Sequence, residues 1–258
     1  MRNRLNSAQK QHYYRELLSI GIPIIIGQLG TIVLGFADTL MIGHHSTEEL
    51  AAAGLVNNIF GLVFVSYMGF TYGLTPIIGR LYGEERTDVI GQKVRNSFLA
   101  NMLTGGIFTL ALILLYLNLA HIGQPEELLG YMRPYYMVLF ASLPFVMLFN
   151  AFKQFTDSIT LTRTSMWILL SGNLLNIIGN YILIYGKMGI PEMGVVGAGV
   201  STLISRIVMV GIFLAVFLCK RSMKQYREGF FSLGWSRQLV RRLTTLGTPI
   251  ALEMGMET

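Results

Sequence analysis

Leu17-Leu18-Ser19-Ile20-Gly21-Ile22-Pro23-Ile24-Ile25-Ile26-Gly27-Gln28-Leu29-Gly30-Thr31-Ile32-Val33-Leu34-Gly35-Phe36-Ala37-Asp38-Thr39-Leu40-Met41-Ile42 carries a single ionisable side chain, Asp38. A helix rises about 1.5 Å per residue, so about 20 mostly apolar residues cross the hydrocarbon of a bilayer. This run is longer than that. It is also too long for a signal-peptide core and has no small-residue cleavage site, while Met1 to Arg15 before it is polar and basic. The run is read as a helix that stays in the membrane.

Five further stretches meet the same requirement: Ala52 to Ile77, Val94 to Ala120, Tyr131 to Phe152, Met166 to Tyr185 and Val195 to Cys219. A seventh begins near Leu243 and is cut short at Thr258. Composition agrees, since the 258 residues are 52% hydrophobic and only 13% charged, with a mean hydropathy of +0.53. A soluble domain carries about 25% charged residues. The sequence therefore predicts an all-α polytopic membrane protein, a six-transmembrane-helix bundle. It divides into a cytoplasmic N-terminal segment over 1–16, a six-helix lobe over 17–219, a cytoplasmic connector over 220–242 and the start of a truncated seventh helix over 243–258.

Charge gives an orientation. The net charge is +6, and the basic residues sit in short clusters between apolar runs. Phospholipid head groups, not nucleic acid, are the acidic partner this pattern fits. With the N-terminus in the cytoplasm, seventeen of the 20 Lys and Arg residues fall on the inside: Arg2 to Arg15, Arg80 to Arg95, Lys153 and Arg163, and Lys220 to Arg242. The outer loops hold only Arg133 and Lys187, and Arg206 lies within a span. Basic residues retained on the cytoplasmic side are the signature of this topology.

An internal echo suggests two halves. Leu17-Leu18-Ser19-Ile20-Gly21-Ile22-Pro23-Ile24 returns as Leu243-Thr244-Thr245-Leu246-Gly247-Thr248-Pro249-Ile250. Six spans between the copies keep both in the same orientation, as in transporters built of two parallel halves. Pro23 and Pro144 interrupt helices, remove backbone donors and predict kinks, and Pro249 repeats the Pro23 position.

Polar residues inside the spans carry the chemistry. A charge at the bilayer centre costs about 2.5–3.5 kcal/mol on the mildest scale, so intramembrane acids are functional candidates by default. Asp38, Glu253 and Glu257 qualify. Gln28, Thr31, Gly35 and Asp38 recur at spacings that put them on one helical face. Asn173, Asn176 and Asn180 do the same on the fifth span, where the alternative role is interhelical hydrogen bonding. Ala198, Ser201, Thr202 and Ser205 give the sixth span a small, hydroxylated face. Carboxylate, amide and hydroxyl oxygens together suit a hard cation.

Other motifs have simpler readings. Gly194, Gly197 and Gly199 are not in dinucleotide-binding order and point to close helix packing. His44 and His45 are adjacent, a poor arrangement for joint metal ligation. Cys219, the single cysteine, excludes an internal disulfide framework and reads as a small apolar residue at a helix end. No span carries a nucleophile–base or metal-ligand constellation, so an enzyme is not expected, nor is any cofactor.

The residues resemble the multidrug and toxic compound extrusion family. The motifs that carry the resemblance are Pro23 with Phe36-Ala37-Asp38-Thr39-Leu40-Met41-Ile42-Gly43-His44, Leu50-Ala51-Ala52-Ala53-Gly54-Leu55, Asn173-Leu174-Leu175-Asn176-Ile177-Ile178-Gly179-Asn180, and Gly189-Ile190-Pro191-Glu192-Met193-Gly194-Val195-Val196-Gly197-Ala198-Gly199. The resemblance implies one six-helix lobe of a two-lobe secondary transporter whose C-terminal lobe is missing here. Such a transporter exchanges protons or sodium ions for amphipathic, often cationic, small molecules across the cytoplasmic (inner) membrane. It implies Asp38 as the first-helix carboxylate of a cation site, with Asn176, Asn180 and Thr202 as neighbouring ligands. It also implies Glu257 as a second acid on the seventh helix. The polar stripes themselves give Gln28, Thr31, Gly35 and Asn173 as the expected lining of a substrate cavity. Some archaeal members have an acid at position 180, and Asn180 lowers the charge of the site. No metal beyond sodium is expected. The competing readings are a lipid-linked saccharide flippase of related architecture, for which more basic residues would line the cavity than Arg206 alone, and a non-transporting membrane subunit or truncated product.

Overall fold

The computed structural model describes the backbone of residues 7–119 and 125–231 with positions 245 and 249, and their side chains except those of residues 7–9, 66, 70 and 88. Helices α1 (Ser7–His45), α2 (Thr47–Tyr72), α3 (Leu74–Gly83), α4 (Thr87–Leu117), α5 (Glu126–Ser158), α6 (Thr162–Ile184) and α7 (Gly194–Cys219) follow one another. A 3-10 turn (Arg221–Met223) and a short helix α8 (Lys224–Phe231) come after them. The second copy of the echo lies outside the described residues except at Thr245 and Pro249, and Glu253 and Glu257 lie outside them entirely.

Among the described residues, six helical runs are long and apolar enough to cross a membrane: Lys10–His45, Thr47–Gly83, Val89–Leu117, Glu126–Ser158, Thr162–Ile184 and Gly194–Cys219. Even the shortest, with 23 residues, rises about 35 Å, more than the roughly 30 Å of hydrocarbon. Continuous helix is what lipid demands, because it satisfies every backbone donor and acceptor within the segment. The second run breaks between α2 and α3 at Gly73. Helical backbone continues through Pro23 in α1 and through Pro134 and Pro144 in α5, so Pro134 adds a third site of a lost backbone bond to the two read from the sequence.

Helix α5 is the post of the bundle. It packs against α2, α3, α4 and α7, while α6 lies between α1 and α7, and α8 lies along α4. One end of the bundle is filled by aromatic rings: Phe98 meets Phe152 edge-on at 4.8 Å between centroids, Phe152 stacks on Phe213 at 5.7 Å, and Phe155 meets Tyr226 at 5.5 Å. Gly91 lets α8 come this close, for a Cβ there would stand 2.7 Å from the Phe230 backbone nitrogen and 2.9 Å from the Gly229 carbonyl carbon. A second cluster, with Phe60, Tyr67, Tyr136 and Leu139, fills the other end.

Small residues set the distance between α1 and α6. A Cβ on Gly27 would touch the Leu169 side chain at 3.3 Å, and one on Gly30 would collide with Leu170 and stand 3.4 Å from Asn173 Nδ2. Lipid tails are as apolar as leucine, so small residues that admit close backbone approach mark helix contacts in a membrane. The opposite flank of α1 leaves Ile25, Leu29, Ile32 and Phe36 exposed.

Candidate functional site

Three helices bring four of the expected residues to one place. Asn180 of α6, fully buried, donates from Nδ2 to Asp38 Oδ1 of α1 at 2.5 Å and to Asn176 Oδ1 one turn away at 3.1 Å. Asn176 in turn donates from Nδ2 to Thr202 Oγ1 of α7 at 3.1 Å, and Thr202 donates to the Ala198 carbonyl at 2.9 Å. The Asn176 carboxamide also fits turned over, with its nitrogen donating to Asp38 Oδ1 at 3.1 Å and its oxygen accepting from Thr202. Which sense is occupied is set by the hydrogen-bond network, because the two ends of an amide have the same shape. Ser201 Oγ fixes α6 to α7 beside the group by donating to the Asn176 carbonyl at 2.8 Å.

The donor set suits a hard cation. One carboxylate, two amide oxygens and one hydroxyl converge, and Asn180 Oδ1 is buried with no hydrogen-bond partner. A buried acceptor without a donor is costly, and a cation or a proton-bearing water satisfies it. The neutral Asn180 leaves Asp38 as the only charge in the cluster.

The other expected residues are placed differently. Asn173 is buried one turn below Asn176 on α6, and its Nδ2 has no partner. Gln28, Thr31 and Gly35 are exposed along α1, and Thr31 bonds back to the Gly27 carbonyl of its own helix at 3.3 Å. Along with Asp38, Gly27 and Gly30 of α1 meet α6. Pro144 is exposed, Pro23 is buried and Pro249 is exposed. Glu257 falls outside the described residues.

Two further polar groups were not located by spacing alone. Arg206 of α7 donates to Ser142 Oγ of α5 and faces a cavity of about 190 Å³ lined by Asn57, Phe60, Gly61, Phe64, Leu139, Leu143 and Val146. At the ends of α1 and α2, His45 stands 2.9 Å from Glu49 and 2.6 Å from Glu192, and the buried Glu49 accepts from the Val195 backbone N–H at 2.7 Å. Gly194, at φ +54°, is required there because a Cβ would run into the Glu49 carboxylate. Gly197 and Gly199 pack against Leu183 and Tyr135, the close helix contact the glycine pattern implies. Among the described residues no group of three His, Cys, Asp or Glu side chains is placed to hold a metal ion.

A bundle of six helices long and apolar enough to span a membrane, with a carboxylate and amides gathered between three of them, defines the class as a polytopic membrane protein. The MatE family model matches residues 23–182, and the chain belongs to the multidrug and toxic compound extrusion family. It is 34% identical over 244 residues to the probable multidrug resistance protein NorM of Photorhabdus laumondii, and 32% identical over 251 residues to the multidrug resistance protein MdtK of Klebsiella pneumoniae. Each match covers 94% of this chain and 53% of the relative, so the chain spans about half the length of the curated relatives it matches. The same fold is seen in a solved structure described as MATE in complex with MaD3S, with a TM-score of 0.82, 22% identity and coverage of 93% of this chain and 53% of that one. It is seen again in a MOP superfamily transporter from Pyrococcus furiosus, with a TM-score of 0.80, 24% identity and coverage of 93% and 52%.

Proposed function

We propose that the chain forms one lobe of a two-lobe secondary transporter that exports amphipathic, cationic small molecules across the cytoplasmic membrane in exchange for protons or sodium ions. The observation that carries this reading is the Asp38–Asn180–Asn176–Thr202 cluster: one acid, linked by a chain of hydrogen bonds to neutral oxygen-bearing side chains of two other helices, inside a membrane bundle. Family membership and the naming of the relatives as multidrug resistance proteins support it. Binding of the coupling ion at Asp38 and binding of a cationic solute oppose each other through charge. Alternating exposure of the site to the two sides then yields exchange.

The test is transport by the full-length protein in proteoliposomes. An inward-directed gradient of protons or of sodium should drive ethidium in the opposite direction, and dissipating the effective gradient should stop it. Ethidium movement indifferent to both gradients overturns the antiport reading.

The orientation proposed places the N-terminus in the cytoplasm, supported by the distribution of lysine and arginine. In a Cys219→Ser background, single cysteines replacing Glu48 or Glu126 should react with an impermeant maleimide added to intact cells, and one replacing Asp88 should react only after lysis. Reversed labelling contradicts it.

A further inference from the structure

A groove of about 490 Å³ follows the contact between α1 and α6, remote from the polar cluster. From Ile26, where it ends on α1, the helix rises about 18 Å further before it reaches Asp38. Arg15 of α1 and Arg163 in the first turn of α6 stand at one end of the groove, and Leu18, Ile22, Ile26 and Trp167 continue it along the apolar part of the bundle. The two helices run parallel, as the contacts of Gly27 with Leu169 and of Asp38 with Asn180 require, so both arginines fall at the same end. Both are exposed, and among the described residues neither has a carboxylate within ion-pairing distance. The acids nearest to them in sequence are engaged elsewhere: Glu16 meets His12 at 3.3 Å, and Asp157 meets Lys153 at 2.8 Å and accepts from Ser165.

We propose that this groove holds one anionic phospholipid of the cytoplasmic leaflet, with its phosphate between Arg15 and Arg163 and an acyl chain along Leu18, Ile22 and Ile26. The chemistry of the groove changes along its length as that of a phospholipid does. Guanidinium groups bind phosphate oxygens through paired hydrogen bonds, and two of them with no protein acid to neutralise them suit an anionic head group. Trp167 comes next, one turn of α6 below Arg163, at the depth where tryptophan is enriched in membrane proteins. Below it the lining of α1 is aliphatic. From Arg15 to Ile26 the helix rises about 16 Å, which matches the roughly 15 Å of hydrocarbon in one leaflet. Bound there, the lipid braces α1 against α6, the two helices that Asp38 and Asn180 join. The choice of leaflet follows from the orientation proposed above, while the site itself depends neither on that nor on the antiport reading.

The test is native mass spectrometry of the purified full-length transporter titrated with phosphatidylglycerol and, separately, with zwitterionic phosphatidylcholine. Phosphatidylglycerol should bind about tenfold more tightly, the order expected of two basic side chains at an anionic head group. Replacing both arginines, Arg15→Gln with Arg163→Gln, should erase the preference, and each replacement alone should remove part of it. Trp167→Ala should weaken both lipids alike. Lys220→Gln with Arg221→Gln removes two exposed charges from the basic connector and should leave the preference intact, which separates the groove from general surface charge. Because Arg15 and Arg163 are exposed, their replacement spares the core, and the wild-type comparison decides even where a variant is not recovered. Equal binding of the two lipids by the wild type overturns the proposal. So does an unchanged preference in the double arginine variant, the result expected if the second lobe fills the groove, or an equal loss on replacing Lys220 and Arg221.

Discussion

Asp38→Asn in the full-length transporter should abolish cation-coupled efflux while the protein still inserts and folds. Asparagine keeps the shape of the side chain and can still meet Asn180, so the bundle loses little. The charge is what disappears, and it is the only one in a cluster whose other members are amides and a hydroxyl. On the proposed reading, neither a proton nor a sodium ion then has a site to occupy. Asn176→Ala and Thr202→Ala each delete one neutral ligand, worth about 1 kcal/mol, and should lower coupled efflux roughly three- to tenfold without abolishing it. Dye efflux at several pH values and sodium concentrations, with surface expression measured in parallel, checks the ranking. Normal efflux by Asp38→Asn with unchanged ion dependence would move coupling elsewhere, and Glu257 would be the next residue to change.

Residues 1–258 expressed alone should give no added tolerance to cationic dyes, and a protein carrying both lobes should restore it. The chain corresponds to about half of each curated relative, and alternating access needs a second body for the first to move against. One lobe offers a single wall: Gln28, Thr31 and Gly35 lie exposed on α1 beside Ile25, Ile32 and Phe36. Growth of cells in graded ethidium measures the outcome. Full resistance from residues 1–258 alone would contradict the two-lobe reading.

The spans were legible because lipid leaves the chain little choice. A run such as Leu17 to Ile42 has to be helical to satisfy its backbone, and length alone announces it. The polar cluster around Asp38 was legible for a related reason: Asn173, Asn176 and Asn180 are polar residues at helical spacing in an apolar segment, and the cost of placing them there marks them. The side of α1 that meets its neighbour was harder to read. Lipid-facing and protein-facing flanks are equally apolar, so the stripe Gln28–Thr31–Gly35–Asp38 left open which residues meet α6, where Asp38, Gly27 and Gly30 make contacts. At Gly27 and Gly30 small size was the informative property.

Partners far apart in sequence were illegible. Ser142 is 64 positions from Arg206, and Glu192 is 147 from His45, and no periodicity connects them. Helix α8 lies within what composition marks only as a basic connector. Its eight residues are too few to show a clear apolar stripe, and its burial depends on Tyr226 and Phe230 finding the space that Gly91 leaves.

The central claim is that one carboxylate, Asp38, holds the coupling ion that a cationic solute displaces. Ion release on solute binding measures this directly: purified full-length transporter in weakly buffered solution, titrated with ethidium while protons are followed by a pH indicator and sodium by a selective electrode. The wild type should release about one proton or one sodium ion per ethidium bound, and Asp38→Asn should release neither. Undiminished release from Asp38→Asn would contradict the account.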